Sequence, residues 1–201
     1  RMEQGLAIVR PDADQAEGAN RNLYPVQRWL DASNQEYGVT VVTPDLPLWE
    51  LNGLTAEAFW QADGSERWLR RALPGSELIA YAMNNYWHTN FKADQPGPVT
   101  FRISLHPHAG FDAAAATREG LFASEAPIAS RVRVGSEGSV FTLDNPRVIV
   151  ASVGPSADGR ADMVRLWNPG TVSQTVRIRW GAGGPRRVRL SSPGEEEGAP
   201  A

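Results

Sequence analysis

The sequence predicts an all-β protein, a large antiparallel β-sandwich with one short connecting helix, and three observations carry that expectation. Seven short runs rich in Val, Ile, Thr and aromatic residues recur along the chain, each bounded by Gly, Pro, Asn or Asp. The 19 glycines and 15 prolines fit many tight connections rather than long helices. A single window, Phe111 to Ser124, has the Ala-rich composition of a good helix former.

The elements follow in chain order. Val39 to Thr43 is a β-branched run that stops at Pro44, and Leu78 to Met83 and Val99 to Leu105 are the next two strand candidates. Asp112 can cap the helix window, and Phe111, Ala115, Arg118 and Phe122 fall on one stripe expected to rest on the sandwich. Val148 to Val153 and Met163 to Trp167 flank Ser156 to Arg160, where Asp158-Gly159 can supply the positive φ of a hairpin turn. From Thr171 to Trp180 the chain alternates with period two. Val172, Val176 or Ile178 should face one side and Gln174 or the arginines the other, so one face should be wet. Gly181 to Gly184 reads as a flexible hairpin leading to Arg187 to Leu190. The expected organisation is one domain over 1–190 followed by an acidic flexible tail over 191–201. No internal repeat of solenoid length is visible.

Composition removes several function classes. At 201 residues and 21.9 kDa the chain can bury roughly 70% of its extended surface, so a β core needs no disulfides. There is no cysteine, which excludes thiol nucleophiles and cysteine-based zinc sites. A net charge of -3 and a pI near 5.7 give no general attraction for phosphate backbones or anionic lipid, so neither nucleic acid nor membrane is an expected partner. No apolar run approaches the roughly 20 residues that span a bilayer. The start, Arg1-Met2-Glu3-Gln4, lacks the regions of a signal peptide and reads as an excised boundary.

Candidates for chemistry are few. His106 and His108 are spaced i, i+2 and could share a strand face with Asp112 nearby, a spacing found in metal sites, but Pro107 between them reads more simply as a turn with exposed imidazoles. The third histidine, His88, stands beside Tyr86 and Trp87 with no nucleophile to serve. A retaining glycosidase needs two carboxyl groups about 5 to 5.5 Å apart; Asp31, Asp45, Glu50, Asp94 and Asp144 are available, yet no spacing singles out a pair. There is no Gly-x-Ser-x-Gly elbow. Arg177, Arg179, Arg186, Arg187 and Arg189 form a basic stripe that reads as a solvent face. No catalytic residue and no metal ligand is therefore expected in this chain. What remains is aromatic and amide chemistry. Seven tryptophans include Trp60 beside Phe59, in a loop from Leu54 to Arg67, and Trp87, within Asn84-Asn85-Tyr86-Trp87-His88-Thr89-Asn90. Such side chains form a core, an interface, or a surface on which sugar rings stack.

The segment from Asn84 to Phe91, set between the Leu78 strand and Gln95-Pro96-Gly97-Pro98, resembles the corresponding region in the C-terminal β-domain of family 38 glycoside hydrolases, the retaining α-mannosidases. Trp29-Leu30-Asp31-Ala32-Ser33-Asn34 is similar to the family's Trp-x-Asp-x-Ser-Asn. Tyr37 to Leu48 is similar to its Gly-Val-Thr strand and Pro-Asp-x-Pro turn, and Pro146 to Pro155 with Met163 to Asn168 to its late strands. Together these cover most of residues 24 to 180 in the family's order.

The resemblance implies a galactose-mutarotase-like super-sandwich without a catalytic role of its own, which packs against and completes an N-terminal catalytic module of the same parent chain. That module would carry the zinc and the aspartate nucleophile; no cofactor is implied for this fragment. Phe59, Trp60 and Asn84 to Asn90 are the residues expected at the module interface or against mannose-containing glycans. An autonomous carbohydrate-binding module is the alternative, and a plain oligomerisation domain is a third possibility.

Overall fold

In a computed structural model the described residues are 1–55, 68–83, 92, 94–125, 127 and 138–200. They form fourteen short strands, all paired antiparallel, and one α-helix. The all-β expectation holds. The chain divides into two compact units, 1–126 and 127–201, and every described ladder closes within one unit or the other.

The first unit contains two sheets. One has the order β2-β1-β4-β5-β8, built from Met2–Gln4 (β1), Ala7–Val9 (β2), Trp29–Ser33 (β4), Gly38–Val42 (β5) and Ser104–His108 (β8). The other has the order β3-β6-β7, from Tyr24–Pro25 (β3), Leu48–Leu51 (β6) and Leu78–Ala80 (β7). Side chains alternate across a strand, so the register Leu30↔Val41↔Leu105 puts these three on one face of the larger sheet. Leu30 and Val41 join Met2, Tyr24, Val26, Leu46 and Trp49 in one buried cluster between the sheets. Trp29 and Val42, on the opposite face, are covered by Ala116 of helix α1, Ala113–Ser124.

Helix α1 starts where the sequence places it. Asp112 is the N-cap and accepts from the amides of Ala114 (2.8 Å) and Ala115 (3.0 Å), which satisfies donors that the first turn leaves orphaned. The expected contact stripe is corrected. Phe122 is 82% exposed, and the buried positions are Ala114, Ala116, Thr117 and Gly120. Small residues face the sheet because the approach is close: a Cβ on Gly120 would lie 3.0 Å from both Arg28 Cβ and Trp29 Cδ1.

The second unit consists of three two-stranded ladders: β9 (Phe141–Leu143) with β12 (Ile178–Trp180), β10 (Ile149–Pro155) with β11 (Asp162–Trp167), and β13 (Arg189–Ser191) with β14 (Glu197–Pro200). The Ser156 to Arg160 hairpin forms as expected, with Gly159 at φ 68° and its N–H bonded to Ser156 O at 2.9 Å. Alternation before β12 holds for Val176, Ile178 and Trp180, half-buried, against Thr175, Arg177 and Arg179, exposed, but the expected side of Gln174 is corrected: two residues from Val176, it shares the half-buried side, while Val172 is 67% exposed. Two further expectations are corrected. Gly181 to Gly184 is no hairpin, since β12 pairs with β9 and β13 with β14; the arginines of β12 and β13 therefore do not lie on paired strands. The stretch read as a flexible tail contains β14, because a turn bonding Glu195 N to Ser192 O (2.9 Å) folds it back on β13.

Candidate functional site

Phe59, Trp60 and Asn84, Asn85, Tyr86, Trp87, His88, Thr89 and Asn90 lie outside the described residues. Among those described, the densest polar constellation gathers on the helix-side face of β4, β5 and β8. The register Asp31↔Thr40↔His106 and Ser33↔Gly38↔His108 brings these side chains to one side. Asp31 is buried and accepts from Ser33 Oγ (2.5 Å) and Thr40 Oγ1 (2.9 Å), and its Oδ2 meets His108 Nε2 at 2.7 Å. His108 Nδ1 is buried with no partner among the described residues, so Nε2 is the ring nitrogen that donates to the Asp31 carboxylate.

The two histidines do share a strand face. The expected exposed turn is replaced by strand β8, which tolerates Pro107 because it is the edge of its sheet. His106 reaches Glu119 of α1 at 3.8 Å while His108 reaches Asp31, and Asp112 caps the helix, so the three side chains serve separate partners. No group of three or more His, Cys, Asp or Glu among the described residues is placed to hold a metal.

Chemically, the Asp31 constellation is a brace. A hydrolytic triad needs imidazole between acid and hydroxyl; here the carboxylate stands between them, and Ser33 donates to Asp31. Gly38 completes the fit, since a Cβ there would lie 2.3 Å from Ser33 Cβ, 2.9 Å from Ser33 Cα and 2.7 Å from His108 Cε1.

Other buried carboxylates are committed in the same way. Glu3 on β1 is bound by Arg28, with Nε to Oε2 at 2.9 Å, and this hydrogen bond raises the Arg28 pKa above its already high ordinary value. Glu50 on β6 accepts from the Thr55 amide and hydroxyl. Burial pushes the Tyr24 phenol up to about 12, with the nearby Asp12 carboxylate adding to the shift.

Among the described residues of the first unit, one cleft of about 760 Å³ is lined by Arg21, Arg70 and Arg71, of which two are already in use: Arg21 bonds Asp12, Ala19 O and Ala16 O, and Arg70 bonds Gly18 O while lying over Trp68. A smaller one, about 400 Å³, sits between the β4–β5 turn and the residues Leu51, Asn52 and Gly75 to Leu78. Sequence reasoning had named Asp31 and His108 separately; only strand register, which no motif encodes, brings them together. Comparison of the chain with family models finds no match, and neither curated proteins nor solved structures give one.

Proposed function

We propose that this chain is a non-catalytic β-domain that packs against and completes the catalytic module of a family 38 glycoside hydrolase, a retaining α-mannosidase. The observation that carries the reading is an uncovered stretch of core-type sheet face. Among the described residues, Leu105 shares its face with Leu30 and Val41, yet it is 66% exposed on the edge strand β8. Pro107 continues the strip on the same side of β8, and Ile103, just before the strand, is 48% exposed. An apolar inner face left open beside an edge strand is the surface a neighbouring module covers.

Two further features support it. The stretches similar to the family's Trp-x-Asp-x-Ser-Asn and Gly-Val-Thr are β4 and β5, adjacent strands joined through Asp31 and Thr40. The buried carboxylates Glu3, Asp31 and Glu50 are each bound to structural partners, which suits a domain that leaves the reacting groups and the zinc to another module.

The test is hydrolysis of an aryl α-mannoside, with zinc present, by this chain, by the full-length product of the parent gene, and by that product carrying Leu105→Glu. The reading expects turnover by the parent, none by this chain, and a loss of activity or assembly on Leu105→Glu. Turnover by this chain alone, or an inactive parent, overturns it.

A further inference from the structure

The cleft at the open end of the sandwich has an apolar floor and a polar rim. Leu51 and Leu78, paired at the end of β6 and β7, form the floor with Met2 and Leu30. We propose that this cleft binds a neutral pyranose unit through Asn34, Tyr37, Ser76 and Glu77. Its volume, about 400 Å³, falls within the range of small-ligand sites.

Both rim segments are held in place by asparagines. Asn34 Oδ1 accepts from the amides of Glu36 (2.8 Å) and Tyr37 (2.9 Å), which fixes the turn, aims the side chain and leaves its Nδ2 donor unused among the described residues. The same turn presents Tyr37, a residue 67% exposed. Across the cleft, Asn52 Oδ1 accepts from the Glu77 amide (2.9 Å) and its Nδ2 donates to Leu73 O (2.6 Å), anchoring the loop that carries Ser76 and Glu77. Gly75, at φ 148°, lets that loop close on Asn52, for a Cβ would lie 2.8 Å from Asn52 Oδ1.

Charge selects the ligand class. The Arg1 guanidinium donates to Ser33 Oγ (3.2 Å) and lies over the Phe111 ring, and the Asp31 carboxylate is filled by its own partners. Glu77 is then the one rim carboxylate with no hydrogen-bond or ion-pair partner among the described residues. The Arg1 guanidinium keeps its positive charge in its contacts with Ser33 and Phe111, so it and Glu77 offset one another across the lining, a balance that suits a neutral ligand. A sugar satisfies the set: hydroxyls donate to Glu77, accept from Asn34 and exchange with Ser76, while a C–H face lies on Tyr37.

This inference goes beyond the module-completing role and does not depend on the parent's substrate. The experiment titrates the 201-residue chain with methyl α-D-mannopyranoside, methyl β-D-glucopyranoside and methyl β-D-galactopyranoside, by calorimetry and ligand-observed NMR. Saturable millimolar binding of at least one is expected, weakened about tenfold or more by Tyr37→Ala and by Glu77→Gln, with the thermal midpoint of both variants unchanged. No saturable binding of any of the three, or binding that both variants retain in full, overturns the proposal. Either result leaves the mannoside-hydrolysis test unaffected.

Discussion

In residues 1–126 two sheets and a helix enclose side chains such as Tyr24, Trp29 and Val42, all fully buried, whereas in 127–201 the buried hydrophobic side chains among the described residues are Val148 and Ile149. The units differ in charge as well. Ten basic against sixteen acidic residues give the first a net charge of -6, and ten arginines against seven acidic residues give the second +3. A two-stranded ladder is marginal alone, and the second unit compensates locally. Asn145 Nδ2 ties Gln174 Oε1 (3.1 Å) and Thr175 O (2.8 Å), Ser156 Oγ donates to Asp158 (2.7 Å), and Trp180 meets Phe141 with ring centres 5.4 Å apart. The same antiparallel pairing is thus held by burial in one unit and by turn chemistry in the other.

The sharpest way to break that contrast is a matched pair of truncations. Trp29→Ala should cost about 3 to 5 kcal/mol, the usual range for an aromatic deleted from a packed core, while Trp180→Ala, half-buried against one ring, should cost about 1 kcal/mol. Urea denaturation of the two variants decides it, and equal losses would remove the distinction. Arg28→Ala should fall in the upper range too, about 3 to 5 kcal/mol, because Glu3 is left charged and buried. The paired change Arg28→Met with Glu3→Leu should recover much of that loss. Removing the helix cap with Asp112→Ala should cost about 1 kcal/mol and lower the helical signal in circular dichroism.

The smallest effect is electrostatic and lies at the surface of the first unit. Arg102 bonds Asp45 through its guanidinium and its amide, and holds that carboxyl down at about 2 against an ordinary 3.8. Since the folded value is the lower one, the pair's contribution is present above pH 3.8 and is lost as the pH falls through about 2. Arg102→Ala should return Asp45 towards its ordinary value in an NMR titration, and should leave Asp14, which Arg10 holds near 2 in the same way, where it is.

Much of the fold was legible where residues obey a simple period. Val39 to Thr43 became β5, the turn at Gly159 formed, and Phe111 to Ser124 gave α1 with its cap. Among the strands not foreseen, β1, β4 and β6 share a physical reason: each carries a buried carboxylate, Glu3, Asp31 and Glu50, on the face opposite its core residue Met2, Leu30 or Trp49, so the run as a whole does not read as a buried apolar strand. Strand β8 was expected over Val99 to Leu105 and occurs at Ser104–His108. β-Propensity favoured the earlier residues, but the Arg102 amide donates to the Asp45 side chain. The candidate site was legible only as separate residues, because Asp31 and His108 are 77 positions apart and meet through register.

Gly38 has a consequence for how this chain can drift. It does not rely on a left-handed backbone; its constraint is space, and the nearest obstacles include the Cα of Ser33 as well as side-chain atoms. Trimming His108 would clear one obstacle and leave the main chain of β4 in the way. A Gly38→Ala lesion should therefore have no second-site suppressor at position 108, and in a genetic selection for revertants only restoration of the glycine itself, or a rebuilt turn between residues 33 and 38, should survive.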